Sequence, residues 1–366
     1  MAQVPLNDLS RVDPLIQEQV LGDIAEILRS GSFLKGQFTQ AFESQLSLMF
    51  DSSSFTSVAN GTDALFIALS ALGVGPGTRV ATVANAGGYT TGATLRLGAL
   101  PVFIDVNPNT AQMSASALRT QLQSDQQVAA VVVTHLYGLI GEIAEIAKVC
   151  QEFDIPLVED CAQSFGATLE GKLAGTFGDA ATFSFYPTKN LGAFGDAGAI
   201  ATRDIEVAQK VQSIAQYGWG TRYSVELPNG VNSRIDEMQA AALVRQLPLI
   251  QRNNDIRRGI VHKYSQTLTN TRKMIMHDDE RFVGHLAIML TDSRESDRSL
   301  LASLGIATGV HYPIADYEQP AWRKTLGNVQ LPNTDKLQQQ ILTLPCFPSM
   351  SSSEINQVVA AIAQLD

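Results

Sequence analysis

The sequence has little cysteine, and none of it is spaced to bind. Cys150, Cys161 and Cys346 are three in number and far apart, with no CxxC pair. That argues against a disulfide framework or a zinc site, and fits reduced core thiols in a cytoplasm. The five histidines (His135, His262, His277, His285 and His311) show no HxxxH spacing, so no metal centre is expected. A basic run is also missing. The net charge is −10 with both signs scattered along the chain, which speaks against nucleic acid as a partner. Apolar runs such as Val128 to Val133 are strand-sized, too short to cross a bilayer, so no membrane contact is expected. The opening MAQVPLNDLSRVDP has no basic segment followed by an apolar one, and a cytoplasmic location is expected. What is present is 366 residues, 45% of them hydrophobic, ample for a large core and for two domains.

Apolar spacing predicts helices over 14–30 and again through Phe38, Phe42, Leu46 and Met49. Short apolar strands then alternate with helical stretches. The strands are Val80 to Ala84, Pro101 to Val106, Ala129 to Thr134, Pro156 to Glu159, Ala181 to Phe185 and Ala199 to Ala201. Helices are predicted over Ala64 to Leu72, Gly92 to Leu97, Ser114 to Gln123 and Ile140 to Phe153. This alternation predicts an α/β fold with a largely parallel sheet, in which ligands collect outside the carboxyl ends of the strands. A long helix is expected from Asp236 to about Lys263, with Pro248 near its middle. Beyond it the chain reads as a smaller α+β unit: strand His285 to Leu290, helix Glu295 to Leu304, strand Gly309 to Tyr312 and closing helix Ser353 to Leu365. The expected division is a large domain over 1–245 and a small one over 246–366, across a soft boundary.

Chemistry concentrates in FSFYPTKNLGAFGDAGAI, residues 183 to 200. Lys189 follows a short apolar run ending at Phe185, with Ser184 before it and Gly192, Gly195 and Gly198 after it. A lone lysine in an uncharged, aromatic and glycine-rich segment is partly desolvated, and a neutral amine is what attacks an aldehyde. A lysine whose stem packs on the core while its head reaches water fits the segment as well. Asp160 ends the run IPLVED just past a buried strand, with Gln163 three residues on. It reads either as a turn residue or as the anion that keeps a heteroaromatic nitrogen protonated. Asn60-Gly61-Thr62-Asp63 opens an apolar helix, and such a start is an anion site as well as a cap. Ser184 can add a hydroxyl to the same anion. Tyr89, in NAGGYT, is either a core aromatic or a face for a planar ring.

These residues together specify pyridoxal 5′-phosphate (PLP), and at this point the chain resembles the sugar aminotransferases of the DegT/DnrJ/EryC1/StrS family. These have the fold type I, aspartate aminotransferase-like fold. The resemblance runs nearly end to end, through VPLNDL, NGTDAL, GALPVFIDV, THLYG, VEDCAQSFGA, GDAATFSFYPTKNLGAFGDAGAI, GVNSRIDEMQAA, VHYP and ILTLPCFPSM. It implies Lys189 as the Schiff-base lysine and proton carrier, Asp160 as the pyridinium partner and Gln163 as the contact to the ring hydroxyl. Gly61, Thr62 and Ser184 become phosphate ligands. Asn232, in GVNSR, becomes the phosphate contact from the neighbouring subunit, which implies a homodimer with shared sites; as sequence it is equally a turn residue. The commonest family pattern places its stacking aromatic at the position of Gly87. Here the aromatic is Tyr89, two positions later, and Tyr89 is assigned the stacking role.

The implied reaction takes an amino group from L-glutamate, leaves pyridoxamine 5′-phosphate, and aminates a nucleotide-linked keto-sugar. Lysine at 189 also separates the chain from a dehydratase offshoot of the family that has histidine there. HYPIADYEQP, from His311 to Pro320, resembles a form found in enzymes making 3-amino-6-deoxy sugars. A dTDP-3-keto-6-deoxyhexose is therefore favoured over the 4-keto isomer. Tyr186, His311 and Tyr312 are candidates for the sugar pocket, with a strand-end histidine as the alternative for His311. His135 is near the site by fold, without a required role. A PLP-binding regulator without turnover stays open. A nicotinamide oxidoreductase is disfavoured, since no GxGxxG follows the first strand.

Overall fold

The computed structural model describes residues 3–51, 53–124, 127–269, 271–327 and 329–365. Two helices lead the chain. The first, α1 (Pro14–Ser30), starts where the Asp13 side chain accepts from the Leu15 amide, and stops at Gly31 in the left-handed region, φ 70°. The second is α2 (Gln37–Met49). Its free amides at Phe38 and Thr39 donate to the buried carboxylate of Glu237, 199 and 198 residues away.

Seven strands form the main sheet: β1 (Ser54–Val58), β2 (Arg79–Thr82), β3 (Leu100–Phe103), β4 (Val128–Thr134), β5 (Leu157–Asp160), β8 (Ala180–Ser184) and β9 (Gly198–Thr202). The intervening β6 (Thr168–Leu169) and β7 (Lys172–Leu173) make a separate small hairpin. The order is β1-β9-β8-β5-β4-β2-β3. Strands β3, β2, β4, β5 and β8 run parallel, and β9 runs against both β8 and β1. Along the strands, neighbouring residues go to opposite apolar layers. Val80, Val132 and Val158 pack on the side of helix α3 (Gly61–Ala71), while Ala81, Val131, Val133 and Leu157 face the other layer. Burial on both faces explains why these strands read as apolar runs rather than alternations.

This topology sets the carboxyl ends of β1, β2, β4, β5 and β8 along one edge. Leaving them are the Asn60 helix start, the loop to helix α4 (Tyr89–Arg96), His135, Asp160 and the lysine loop. Between β8 and the antiparallel β9 the lysine loop is pinned at both ends. Phe185 donates its amide to Ala197 at 2.8 Å, and Ala193 donates to Phe185 at 2.7 Å. Phe42, Phe165, Phe183 and Phe185 pack beneath it, with Phe42 and Phe185 edge-to-face at 5.3 Å. Gly192 is obligatory there, because a Cβ on it would stand 2.5 Å from the Pro187 carbonyl oxygen.

A hairpin of β10 (Trp219–Thr221) and β11 (Ser224–Val225) follows, and then the second sheet, β12 (Lys273–Ile275), β13 (Ala287–Leu290) and β14 (Ile341–Leu344), all antiparallel. Two expectations are corrected in this half. The long helix from Asp236 is broken into helices Glu237–Gln246 and Ile250–Thr267 by a 3₁₀ turn at Leu247–Leu249. Pro248 has no amide to donate and its ring crowds the preceding turn. Gly309 to Tyr312 is no strand: only Gly309 bridges Thr343, after which the chain leaves the sheet. The partner strand is β14. The main sheet also has an edge strand, β1, that the sequence pattern does not announce, and helix Ile205–Ile214 was likewise unexpected.

Candidate active site

A cavity of about 560 Å³ opens on the carboxyl edge of the main sheet. Of the residues expected to act, Gly61, Thr62, Tyr89, Asp160, Ser184, Tyr186, Lys189, His311 and Tyr312 all line it. They come from five separate segments of the chain. Gln163 and Asn232 do not line it.

The helix start at Asn60 is built for an anion. The Asn60 side chain accepts from the Asp63 amide at 2.8 Å and its carbonyl accepts from Ala64 at 3.0 Å. The Gly61 and Thr62 amides remain without a bonded acceptor among the described residues. Two close approaches fix this turn. A Cβ on Gly61 would stand 2.6 Å from Ser184 Cβ, and one on Gly198 would stand 2.5 Å from the Asn60 carbonyl carbon. Glycine at both positions lets α3 sit down on β8 and β9, and brings the Ser184 hydroxyl to the helix start.

Asp160 ends β5 buried, 5% exposed. Oδ1 accepts from the Ala162 amide at 3.1 Å and Oδ2 from Thr134 Oγ1 at 3.3 Å. Burial pushes its carboxyl up, while the Ala162 amide, the Lys189 charge, Thr134 and His135 pull it back. Lys189, partly buried, is held in a turn by the hydrogen bond that its backbone amide donates to the Tyr186 carbonyl at 2.8 Å. Burial brings its amine down to about 8, against the opposing pull of Asp160. The cavity thus pairs a buried carboxylate, without an arginine partner among the described residues, with an amine that is partly neutral at physiological pH.

Gln163 stands behind the cavity wall. Its Oε1 accepts from the Tyr137 amide at 2.6 Å and its Nε2 donates to Tyr312 Oη at 3.2 Å. Tyr312 meets Tyr89 edge-to-face at 6.2 Å. Tyr89 is 47% exposed and Tyr186 is 50% exposed. His311 Nδ1 is 2.8 Å from Thr343 Oγ1, and burial with the Lys189 charge lowers its pKa. Asn232 is exposed, bridged to Gln216 and followed by Ser233, whose hydroxyl accepts from the Ala59 amide. It lies outside its own chain's cavity.

His135, Glu159 and Cys161 cluster within 4.8 Å of one another, fully buried. Hydrogen bonds account for Glu159, which takes His135 Nε2 at 2.9 Å and the amides of Gly175, Phe177 and Gly178. Two groups near the cavity were not among the expected site residues. His285 lines it, and behind it run Asn190 and Asn254. Asp316 is buried beside the loop that carries Tyr89.

A mostly parallel sheet with a lysine loop at its carboxyl edge and a small antiparallel sheet beyond defines the class of fold type I aminotransferases. More narrowly, the chain belongs to the DegT/DnrJ/EryC1/StrS aminotransferase family, whose model matches residues 14–363. It is a sugar aminotransferase of that family, and the family is PLP-dependent. It is 34% identical to the pleiotropic regulatory protein of Geobacillus stearothermophilus, over 99% of this chain and 98% of that one. It is 32% identical to the UDP-N-acetyl-3-dehydro-alpha-D-glucosamine 3-aminotransferase of Acidithiobacillus ferrooxidans, over 98% and 97%. To the dTDP-3-amino-3,6-dideoxy-alpha-D-galactopyranose transaminase of Aneurinibacillus thermoaerophilus it is 33% identical, over 98% of both. The crystal structure of S. venezuelae DesV, in complex with a ketimine intermediate, superposes with a TM-score of 0.95 at 30% identity, covering 100% of this chain and 99% of that one. That of NtdA from Bacillus subtilis, with bound cofactor pyridoxamine phosphate, gives 0.92 at 28%, over 99% and 85%. Among the described residues no helix is long and apolar enough to cross a membrane.

Proposed function

We propose that this chain binds PLP at Lys189 and transfers an amino group from L-glutamate to C3 of a nucleotide-linked 3-keto sugar, a dTDP-3-keto-6-deoxyhexose in the first instance. The observation that carries the cofactor is the meeting of Asp160 and Lys189 in one cavity with the Gly61–Thr62 helix start. These residues fit the group. Among the described residues the buried carboxylate has no arginine partner, which suits a protonated ring nitrogen, and the unbonded amides suit a phosphate. A partly neutral amine suits an aldehyde. When bound, the cofactor supplies an electron sink for the charge left when an α-proton departs.

The chain's own residues divide the remaining work. Lys189, with its amine near neutrality, removes and returns that proton. Asp160 keeps the ring nitrogen protonated. The Gly61 and Thr62 amides and the Ser184 hydroxyl hold the phosphate, and Tyr89 offers a ring face. Gln163, behind the cavity wall, holds Tyr312 through Nε2, and the second hydrogen of that Nε2 is what it has for the ring hydroxyl. Tyr186, His311 and Tyr312 receive the sugar. Asn232, exposed and outside its own cavity, completes the phosphate site of a second copy in a homodimer.

Amination at C3 is supported by the relatives named above, one UDP-linked and one dTDP-linked, whose names share the 3-position. The test is a side-by-side assay with glutamate of dTDP-3-keto- and dTDP-4-keto-6-deoxyhexoses and a UDP-linked 3-keto sugar. The expected result is turnover of the dTDP-linked 3-keto sugar above the others. Preference for the 4-keto sugar refutes the C3 assignment. Preference for the UDP sugar refutes the nucleotide. A protein that takes up PLP but aminates none of them removes all three substrate assignments and favours the reading as a regulator without turnover.

A further inference from the structure

His285 is buried, two residues before β13, yet lines the cavity. The hydrogen bonds behind it fix which of its nitrogens carries the proton. Asn254 Nδ2 donates to the Phe165 carbonyl at 3.0 Å, and a carbonyl only accepts, so Asn254 Oδ1 is left as an acceptor. Asn190 Nδ2 donates to that Oδ1 at 2.8 Å and to the Val283 carbonyl at 3.1 Å. Asn190 Oδ1 must then accept, and its partner is His285 Nδ1 at 2.9 Å. The Nδ1 nitrogen therefore holds the hydrogen, and in the neutral ring Nε2 keeps a bare lone pair. Nε2 has no hydrogen-bond partner among the described residues and is not one of the enclosed unpartnered atoms, so it opens on the cavity.

The surroundings keep the ring neutral. Burial, then the charges of Lys189, Arg257 and His311, hold its pKa well below the ordinary value of 6.5. Arg257 is buried one layer back, where its guanidinium donates to the Cys346 carbonyl at 2.7 Å and the His285 carbonyl at 3.4 Å.

We propose that His285 is a recognition residue, whose Nε2 lone pair accepts a hydrogen bond from the substrate in the cavity. The partner is an N–H or O–H of the bound substrate: the ammonium of the amino donor or a hydroxyl of the keto-sugar. A site that presents only an acceptor there discriminates against a ligand without a donor at that place. This rests on the reading of the cavity as an aminotransferase site.

Two variants separate the parts. His285→Asn keeps an N–H where Nδ1 stands, facing Asn190, and deletes the acceptor. His285→Gln can carry its amide oxygen to where Nε2 stands. In the full-length chain with [15N]histidine, His285→Asn identifies the His285 signals. The expected spectrum at pH 6 and 7.5 has a pyrrole-type Nδ1 and a pyridine-type Nε2, the latter moving on addition of L-glutamate or dTDP-glucose. A pyridine-type Nδ1, a doubly protonated ring, or an Nε2 signal that neither ligand moves would overturn the proposal. In kinetics, His285→Asn should melt like the wild type and lose roughly 10–100-fold in kcat/KM in one half-reaction. The glutamate half falls if the ammonium is the donor, and the sugar half if a hydroxyl is. His285→Gln should recover part of that loss. Unchanged kcat/KM in both halves overturns the role. A wild-type chain inactive with every sugar sinks the aminotransferase reading instead, and the nitrogen spectra still decide the tautomer and the contact.

Discussion

Replacing Lys189 by methionine should stabilise the cofactor-free chain at neutral pH. Burial lowers the amine from its ordinary 10.5 to about 8, a difference worth roughly 3 kcal/mol at about 1.4 kcal/mol per unit, as an upper bound for a partly buried group. Between about 8 and 10.5 the unfolded lysine holds a proton that the folded one lacks, so stability rises with pH across that window. Below it the folded chain carries the full cost of a buried ammonium. Methionine fills the stem's place without the charge. Urea denaturation of both proteins, stripped of cofactor with hydroxylamine, reads the effect. The Lys189→Met chain should be the more stable at pH 7, and its advantage should vanish by about pH 10.5. Groups that titrate in the same range cancel in the comparison. Equal or lower stability of the variant at pH 7, or an advantage that persists at high pH, refutes the reasoning.

Four further outcomes are expected. Asp316, buried and bonded to Thr91, has its carboxyl pushed up to about 7 by burial, so the folded chain binds a proton that the unfolded one lacks between 3.8 and 7. Asp316→Asn should remove the loss of stability as pH rises through that window, and be more stable at pH 7.5 by up to ~4 kcal/mol in urea titrations. Trp322, which shares the wall at Gly88 with Asp316, should show a fluorescence titration near pH 7 in a Trp219→Phe background, absent in Asp316→Asn. Gly198→Ala places a Cβ 2.5 Å from the Asn60 carbonyl carbon; equilibrium dialysis should show weaker PLP binding, and unfolding a loss of about 1–3 kcal/mol. Mixing Asn232→Ala with Lys189→Ala subunits should restore part of the activity that neither has alone, and verified heterodimers without activity would count against a shared site.

The sequence displayed its chemistry where the partners are near in the chain or the pattern is strong. The runs ending at Asp160 and Ser184 are apolar because both faces of those strands are buried, so their ends could be placed and the site residues after them named. The Asn60 cap is local to within three residues. Strand β1, SFTSV, is half polar and exists because it pairs with β9, Ser54 opposite Thr202, a contact no window contains. The break at Pro248 was legible in principle, since a proline inside a helical pattern ends or kinks it. Tyr312 was expected on a strand because β-branched and aromatic residues run through 309–312, but one bridge to β14 is all that forms there. His285 illustrates the limit best. Its tautomer is set by Asn190, 95 residues away, and through it by Asn254, 64 residues from Asn190.

The central claim is that Lys189 is the residue that binds the cofactor covalently. Borohydride reduction of the PLP-loaded protein, followed by digestion and mass spectrometry, tests it directly. The expected product carries a phosphopyridoxyl group fixed on Lys189, in the peptide that contains FYPTK, and none elsewhere. A modification on another lysine, or an unmodified Lys189 in protein that retains PLP, contradicts it.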